Sequence, residues 1–344
     1  MDRRDLLKTM ALAAAAPGAV GVVAGASATQ AQAQAQAPAG NPIAAMPGHH
    51  DVTPVSPDYV ISDRFAGKTY IVTGSARGMG KVAADRLARE GANVVGVDWI
   101  ADEGAAVIAA IKAAGGKAEF VPGDVSDTAV CDRMVEVAVS TFGGLDGAIN
   151  NAGVMDAIPP SEPIDYDKQK DLAFNPVHLA SDAYWDVVMR VNATGVFRCM
   201  RAQLRHMVEQ GKGGSIVNVA SVAGLRGFSS TPSYVASKHA VNGLTKNAAI
   251  DYAPYGIRIN SVNMANTDTP MVQRAKQLVG ARMKALGGVG MGTIKTRSLL
   301  QYADTDHRDA TPEEQVAIML FLLSDEASNI TGANWATDGG FTTY

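Results

Sequence analysis

The stretch "TGSARGMG" at residues 73–80 follows the apolar run "TYIV" and opens a segment with helical spacing. A strand that enters a helix through a glycine-rich turn is typical of a dinucleotide-binding βαβ unit. Gly74 permits the tight turn, Gly78 lets the backbone approach a pyrophosphate, and Gly80 lets the helix pack closely on the sheet. The stretch therefore predicts a phosphate cradle at the helix N-terminus, where amides and a positive partial charge are available.

Two charged residues near this stretch bear on which dinucleotide is bound. Asp98 ends the next predicted strand, 18 residues after Gly80, where a carboxylate accepts hydrogen bonds from ribose hydroxyls. The same carboxylate repels a 2′-phosphate and favours NAD. Arg77 has the opposite effect, because a guanidinium can pair with that phosphate. The balance favours NAD, with NADP as the alternative.

Beyond this stretch, short β-branched runs alternate with segments of helical periodicity. The predicted strands and their turns are 69–74, 93–98, 118–125, 145–153, 214–221, 257–263 and 333–340. The predicted helices are 78–90, 103–115, 127–142, 182–210, 233–253 and 312–325. Alternation of this kind implies a parallel sheet covered on both faces. We therefore expect one α/β, Rossmann-like, doubly wound domain over residues 64–344, with a seven-stranded parallel sheet.

Composition excludes several classes of function. The 344 residues are 47% hydrophobic and carry a formal charge of −4, so the sequence predicts a soluble globular protein without affinity for nucleic acid. Its two cysteines, Cys131 and Cys199, lie in apolar segments without metal-ligand spacing. We expect them to be buried as small apolar side chains, and we expect no metal site.

The N-terminal residues 1–37 have the pattern of a secretory signal. Arg3 and Arg4 precede an Ala-, Gly- and Val-rich stretch, and small residues in the range 28–37 offer cleavage sites. The paired arginines resemble a twin-arginine signal, which predicts a periplasmic protein. Pro17 and several glycines interrupt the apolar stretch, so we expect no stable membrane anchor. A disordered tail on a cytoplasmic protein is the alternative, and residues 38–63 are expected to form a proline-rich linker.

Further motifs accompany the glycine-rich stretch. These are "DV" at 124–125, "NNAG" at 150–153, "VNATG" at 191–195, "IVNVASVAG" at 216–224, "YVASK" at 234–238 and "TGANWATDGG" at 331–340. In this order they closely resemble the short-chain dehydrogenase/reductase family, from about Gly67 to Gly340. The resemblance implies oxidation of an alcohol, or reduction of a ketone, with a nicotinamide cofactor.

The resemblance also implies a catalytic set of Asn192, Ser221, Tyr234 and Lys238. Tyr234 and Lys238 are four residues apart on a predicted helix, so they share one face. A neighbouring ammonium favours the phenolate, so we expect a lowered pKa for Tyr234 and a role as general acid and base. By resemblance, Ser221 hydrogen-bonds the reacting oxygen, Lys238 also holds the nicotinamide ribose, and Asn192 supports a water that relays protons.

The predicted cofactor site draws on several loops. Its residues are Gly74, Ser75, Arg77, Gly78, Met79, Gly80, Asp98, Asp124, Val125, Asn151, Ala152, Gly153, Tyr234, Lys238 and Thr269. In the family, the aspartate–valine pair flanks the adenine and the threonine contacts the nicotinamide amide. The helix at 182–210 and the helix carrying the tyrosine often form subunit interfaces, which implies a homotetramer or a homodimer.

Two departures from the family pattern concern the substrate. Met264 and Ala265 replace the usual proline and glycine, so we expect a changed path or local strain in that loop. The segment between Gly153 and Asn192 is longer than usual. We expect substrate loops at about 155–180 and 270–310, around a partly apolar pocket.

The sequence thus favours an exported NAD-dependent oxidoreductase that interconverts a secondary alcohol and a ketone. One alternative is a cytoplasmic reductase of 3-oxoacyl thioesters or sugars. A second is a non-catalytic nucleotide-binding protein, because family resemblance does not guarantee turnover.

Overall fold

Seven strands form one parallel sheet in the computed structural model, which describes residues 51–285 and 304–343. The strands are β1 (Thr69–Thr73), β2 (Asn93–Asp98), β3 (Lys117–Pro122), β4 (Gly147–Asn150), β5 (Gly214–Val219), β6 (Ile257–Met264) and β7 (Asn334–Thr337). Their order in the sheet is β3-β2-β1-β4-β5-β6-β7. Since β1 lies between β2 and β4, the winding direction reverses at β1. The predicted sheet and fold class are confirmed.

Helices cover both faces of this sheet. They are α1 (Gly78–Arg89), α2 (Ala101–Ala113), α3 (Thr128–Phe142), α4 (Tyr166–Gln169), α5 (Asp182–Met189), α6 (Val196–Gln210), α7 (Pro232–Tyr252), α8 (Pro270–Ala285) and α9 (Pro312–Leu323). Residues of α3, α6 and α7 pack on one face, and residues of α1, α2 and α9 pack on the other. Cys131 and Cys199 are buried in the first of these cores, as expected.

The predicted helix 182–210 is divided in the structure. A π-helical turn, Arg190–Gly195, joins α5 to α6. Turns of this kind are frequent at functional sites because the extra residue re-aims the side chains around it. Asn192 lies in this turn and is fully buried.

A third apolar core lies apart from the two that cover the sheet. It joins the long segment after Gly153 to α8, through buried residues such as Ile158, Phe174 and Leu278. Tyr234 packs against this core. The first predicted substrate loop, 155–180, therefore packs against α8, which forms the start of the second predicted loop, 270–310. Residues 286–303 of that second loop lie outside the described residues.

Residues 51–63, the described end of the predicted linker, have no regular helix or strand. They nevertheless contact the domain. The Asp51 carboxylate accepts hydrogen bonds from the amide and hydroxyl of Thr305, and the Arg86 guanidinium lies over the Tyr59 ring. The predicted signal at 1–37 lies outside the described residues. Among the helices of the described ranges, none is both long enough and apolar enough to cross a membrane.

Candidate active site

A cleft of about 770 Å³ opens at the carboxyl ends of the strands, beside β1 and β4. This is where doubly wound sheets bind ligands, because the loops on either side of the reversal diverge. Most of the predicted site residues line it: Gly74, Arg77, Gly78, Met79, Asp98, Asp124, Val125, Asn151, Ala152, Gly153, Ser221, Tyr234, Lys238 and Thr269. The structure thus brings residues from across the domain into one site.

Three predicted site residues lie behind the cleft wall. Ser75 is fully buried, with its hydroxyl oxygen directed at Gly96 of β2. Gly80 lies inside the turn, and Asn192 lies beneath Gly153. These residues shape the cleft from below, so their side chains do not form its surface.

The glycine-rich turn needs its glycines for two different reasons. Gly74 and Gly78 have φ angles of +70° and +52°, in the left-handed region that favours glycine. Gly80 has no such angle, but a Cβ there would clash with the Gly74 carbonyl and lie 2.7 Å from Nδ2 of Asn151. The turn is thus closed by backbone contacts that leave no room for a side chain.

We expect Gly80→Ala to lower the free energy of unfolding by about 1–3 kcal/mol, because the new methyl overpacks the turn. The matched control is Gly243→Ala in α7. Among the described residues, no heavy atom lies within 4 Å of a Cβ built on Gly243. Alanine there should be neutral or stabilising. Urea denaturation of both variants measures the difference, and equal stability of the two would contradict the proposed role of Gly80.

Thr73 and Asn151 join the two loops that diverge at the cleft, a role that the sequence did not reveal for Thr73. The Thr73 hydroxyl accepts hydrogen bonds from the amides of Asn151 (3.0 Å) and Ala152 (3.1 Å). The Asn151 side-chain amide donates to the carbonyls of Thr73 and Gly74. The glycine-rich turn is therefore fixed to the end of β4.

The N-terminus of α1 is suited to an anion. Helix α1 begins at Gly78, its N-cap residue Arg77 makes no capping hydrogen bond through its side chain, and its first turn contains no acidic residue. The first amides of the helix, which lack intrahelical partners, thus open toward the cleft. This donor set fits a pyrophosphate.

Asp98 lies at the adenosine end expected of this cleft and is 8% exposed. The amide of Ala76 donates to its Oδ2 atom and the amide of Ile100 to its Oδ1 atom, both at 2.9 Å. Burial raises the pKa of Asp98, while these backbone hydrogen bonds oppose the shift. The carboxylate is fixed in place, and each oxygen retains a second lone pair for a ribose hydroxyl.

Arg77 does not stand free beside Asp98. Its guanidinium makes a bidentate ion pair with Glu103, in the first turn of α2. The hydrogen bond with Arg77 lowers the pKa of Glu103. Sequence reasoning missed Glu103, although an acid five residues after Asp98 is a signal that could have revealed it.

Tyr234, Ser221 and Lys238 face one another across the cleft. Ser221 lies close enough to Tyr234 to lower its pKa, and Nζ of Lys238 lies 5.6 Å from the centroid of the Tyr234 ring. Lys238 is 4% exposed and donates a 2.8 Å hydrogen bond to the carbonyl of Val219. Burial lowers the pKa of Lys238 to about 8.

The expected fall in the pKa of Tyr234 is not what the structure shows. Burial raises this pKa, and the nearby Ser221 side chain opposes the rise. The ammonium of Lys238 is directed to the Val219 carbonyl, and its own charged form is disfavoured by burial. The lysine, and not the tyrosine, therefore has the pKa closest to neutrality.

Asn192 uses its side chain to hold the loop after β4. Its Oδ1 atom accepts from the amide of Val154 and its Nδ2 atom donates to the carbonyl of the same residue, both at 2.8 Å. Nδ2 also donates to the Ser237 hydroxyl. A Cβ built on Gly153 would lie 3.2 Å from Oδ1 of Asn192 and 3.6 Å from Nζ of Lys238. Gly153 thus leaves open the space between these polar groups.

The remaining predicted cofactor residues are also held by defined contacts. Asp124 accepts from the amide of Ser126 at 2.8 Å and pairs with Arg190 at 2.6 Å. Val125 is nearly buried in the cleft wall. Thr269 accepts from the amide of Val272 near the start of α8.

The loop with Met264 and Ala265 does not show the local strain that we considered from its sequence. Met264 extends β6 by pairing with Thr337 of β7, and Thr267 forms a further bridge with Ala310. Non-glycine residues with positive φ in the described ranges lie elsewhere, at Asp63, Ser230 and His307. Strand pairing thus continues through Met264, and a further bridge holds Thr267.

The other end of the cleft is apolar and covered by α8. Met155, Ile158, Phe174, Phe228, Met271 and Val279 line it. Arg274 of α8 pairs with Asp156 at 3.2 Å and also donates to the carbonyl of Ile158. Arg282, two turns further on, donates to the Phe174 carbonyl and the Asn175 side chain. These arginines tie α8 to the long loop and close the pocket.

Comparison with known proteins assigns this site to a family. The sequence profile described as short chain dehydrogenase matches residues 68–279, which include the glycine-rich turn, Tyr234 and Lys238. The chain belongs to the short-chain dehydrogenase family.

Curated members of this family resemble the chain over nearly their whole length. A 3beta-hydroxysteroid dehydrogenase of Mediterraneibacter gnavus is 42% identical over 83% of this chain and 98% of its own. A 2,5-dichloro-2,5-cyclohexadiene-1,4-diol dehydrogenase of Sphingobium indicum is 37% identical over 80% of this chain and 98% of its own. A cyclohexanol dehydrogenase of an Acinetobacter species is 34% identical over 82% of this chain and 98% of its own. The chain is therefore a short-chain dehydrogenase acting on CH–OH groups.

Solved structures show the same fold. A levodione reductase has a TM-score of 0.69 and 32% identity, covering 81% of this chain and 100% of that one. A short chain dehydrogenase from Mycobacterium paratuberculosis bound to NAD has the same TM-score and 27% identity, covering 82% of this chain and 100% of that one. The Rossmann-like architecture is therefore that of known short-chain dehydrogenases.

Proposed function

We propose that this short-chain dehydrogenase uses NAD to interconvert a secondary alcohol and a ketone, on a ring carbon of an apolar substrate. The observation that carries the proposal is one cleft that joins an anion-binding helix N-terminus to Tyr234, Ser221 and Lys238. A site that only bound nucleotide would have no need of the buried lysine, whose desolvation is costly.

The residues at one end of the cleft fit NAD. The α1 amides, presented by a turn in which Gly74 and Gly78 have positive φ angles, suit the pyrophosphate, and the fixed Asp98 carboxylate suits the adenosine ribose. Lys238 and Thr269 would hold the nicotinamide half. When bound, NAD supplies the hydride acceptor or donor. A related structure bound to NAD supports this choice.

The proton is handled by the chain's own groups. In oxidation, the Tyr234 side chain would have to be a phenolate, whose oxygen takes the proton of the substrate alcohol while NAD would accept the hydride; in reduction, the Tyr234 phenol would donate its proton to the carbonyl oxygen and become the phenolate. The Ser221 hydroxyl would hold the reacting oxygen in place. With a pKa of about 8, Lys238 can pass a proton near neutral pH. Through its hold on Val154, Asn192 would keep Gly153 clear of the space beside that ammonium.

The apolar end of the cleft favours a ring substrate. Aromatic, aliphatic and methionine side chains surround it, and the paired Asp156 and Arg274 neutralise each other in its wall. The names of three relatives specify hydroxyl groups on carbocycles, namely a steroid, a cyclohexadienediol and cyclohexanol. A rigid ring also loses little conformational entropy on binding.

The test is an assay of purified protein with NAD and a panel of alcohols, following absorbance of the reduced nicotinamide. We expect turnover of cyclohexanol and larger alicyclic alcohols, with the open-chain 2-hexanol as the matched slow substrate. Parallel assays with NADP, 3-oxoacyl thioesters and sugar ketones test the alternative reductase. Absence of turnover in both directions with every substrate would leave a nucleotide-binding protein without catalysis and overturn the proposal.

We also propose that the protein is exported to the periplasm with NAD already bound. A twin-arginine pathway moves folded proteins, so a cofactor loaded in the cytoplasm would travel with the enzyme. The support is the pair Arg3 and Arg4 ahead of an apolar stretch. Fractionation of cells carrying Arg3→Lys and Arg4→Lys tests it: retention of the variant in the cytoplasm is expected, and a cytoplasmic location of the unaltered protein would refute export.

A homotetramer or homodimer is proposed on the surface of α6 and α7. Phe197 of α6 and Ile250 of α7 are apolar but 45% and 75% exposed, and contact with a second subunit would remove them from water. Sedimentation velocity would measure the assembly, and a monomer at micromolar concentration would refute it.

A further inference from the structure

The carboxylate of Glu103 pairs with the guanidinium of Arg77, the group that could otherwise bind a 2′-phosphate. Arg77 and Asp98 both line the adenosine end of the cleft, and Arg77 makes its bidentate ion pair with Glu103. Arginine binds phosphate and carboxylate with the same planar fork. A carboxylate that fills this fork therefore competes directly with a phosphate.

We propose that Glu103 is a specificity-determining residue that sequesters Arg77 and so disfavours NADP. This inference rests on the proposed use of a nicotinamide dinucleotide and goes beyond it, because it assigns the choice between the two dinucleotides to a residue outside the glycine-rich turn. Asp98 repels the 2′-phosphate directly, and Glu103 removes the cation that would offset this repulsion.

The local charges agree with this role. The carboxylates of Asp98 and Glu103 balance the positive charges of Arg77 and of Lys81, which also acts on Glu103, so the site has no excess positive charge for an additional dianion. Glu103 lies in the first turn of α2, where the helix dipole stabilises a negative charge. Arg77 immediately precedes Gly78, so its backbone is fixed by the turn while its side chain can reach either partner. Glu103 and a bound 2′-phosphate would therefore compete for the guanidinium of Arg77.

The size of the effect follows from the exposure of the pair. The side chains of Arg77 and Glu103 are 42% and 44% exposed, so water screens their attraction. Exposed pairs of this kind change an equilibrium by up to about fivefold. Glu103 should therefore adjust a preference whose larger part comes from Asp98.

The test compares binding of ADP and 2′,5′-ADP by isothermal titration calorimetry, without turnover. We expect Glu103→Gln to raise the affinity for 2′,5′-ADP relative to ADP by about fivefold, since it frees Arg77 and removes one negative charge. The matched control is Glu119→Gln, which breaks the similarly exposed pair with Lys112 (2.7 Å) outside the cleft. The control should leave the ratio unchanged.

Arg77→Gln in the Glu103→Gln background identifies the cause. If the double variant loses the increased affinity for 2′,5′-ADP relative to ADP, the result supports sequestration of Arg77 by Glu103. Persistence of the gain would overturn it, because Glu103 would then act through its own charge. A ratio in Glu103→Gln equal to that in Glu119→Gln would also overturn it. Failure of every variant to bind either probe would instead refute the proposed nucleotide site, and this inference with it.

Discussion

Tyr234→Phe is expected to lower kcat for alcohol oxidation by about 100- to 10,000-fold, the usual contribution of a positioned acid or base. The substitution removes one oxygen, the atom placed to exchange a proton with the substrate. The ring would still pack against the third apolar core and lie beside Lys238. The loss should therefore appear in kcat, with a small change in the affinity for ADP.

The matched control for this variant is Tyr252→Phe. Tyr252 ends the same helix, α7, and packs against the core formed with α3 and α6, far along the chain from the cleft residues. Its hydroxyl has no proposed part in the reaction, so the control should retain full turnover. Steady-state kinetics on cyclohexanol measure both. Turnover of Tyr234→Phe within a few-fold of the control would refute the proposed proton transfer.

Lys238→Met is expected to stabilise the folded protein while abolishing turnover. Burial lowers the pKa of Lys238 from its ordinary value near 10.5 to about 8, so the folded state disfavours its charged form. A shift of this size corresponds to about 3 kcal/mol at pH 7, less the hydrogen bond lost to the Val219 carbonyl. Methionine retains the apolar stem without the charge.

The pH dependence of this gain has a definite sign. Between pH 8 and about 10.5 the unfolded chain binds a proton at Lys238 that the folded chain has lost, so the stability of the unaltered protein rises through this window. Below pH 8 the penalty is fully present. The advantage of Lys238→Met should therefore be largest at pH 7 and vanish near pH 10.5.

The control is Lys212→Met, which removes an exposed ammonium in the turn after α6, outside the cleft. It should leave both turnover and stability nearly unchanged, because water already solvates that charge. Urea denaturation at pH 7 and pH 10 measures both variants. A Lys238→Met protein less stable than the control at pH 7 would show that burial does not penalise this ammonium.

The sequence predicted the fold and the cleft because both depend on local patterns. Apolar runs of strand length and the positive φ angles at Gly74 and Gly78 reflect local backbone geometry, whereas the close contact of Gly80 with Asn151 became visible only in the fold. The spacing of Tyr234 and Lys238 likewise defines one face of a helix, and the structure places both on the cleft. Apart from the Gly80 contact, these features could be located without any knowledge of tertiary packing.

What the sequence did not predict depends on burial and on long-range pairing. The rise in the pKa of Tyr234 follows from desolvation, whereas spacing gave only the nearby charge of Lys238. The role of Glu103 depends on the ion pair that Arg77 makes with it in the folded chain. The unstrained path at Met264 depends on pairing with Thr337, which lies more than seventy residues further along the chain. Each outcome required the folded environment.

The hydrogen bonds between Thr73 and the loop after β4 have a consequence for the thermodynamics of ligand capture. Because the Thr73 hydroxyl and the Asn151 amide already fix the cradle, its conformational entropy is lost when the protein folds. A nucleotide arriving later meets a rigid receptor and spends little of its interaction energy on ordering it. We expect rigidity of this kind to favour a long residence time, which the proposed export with bound NAD would require.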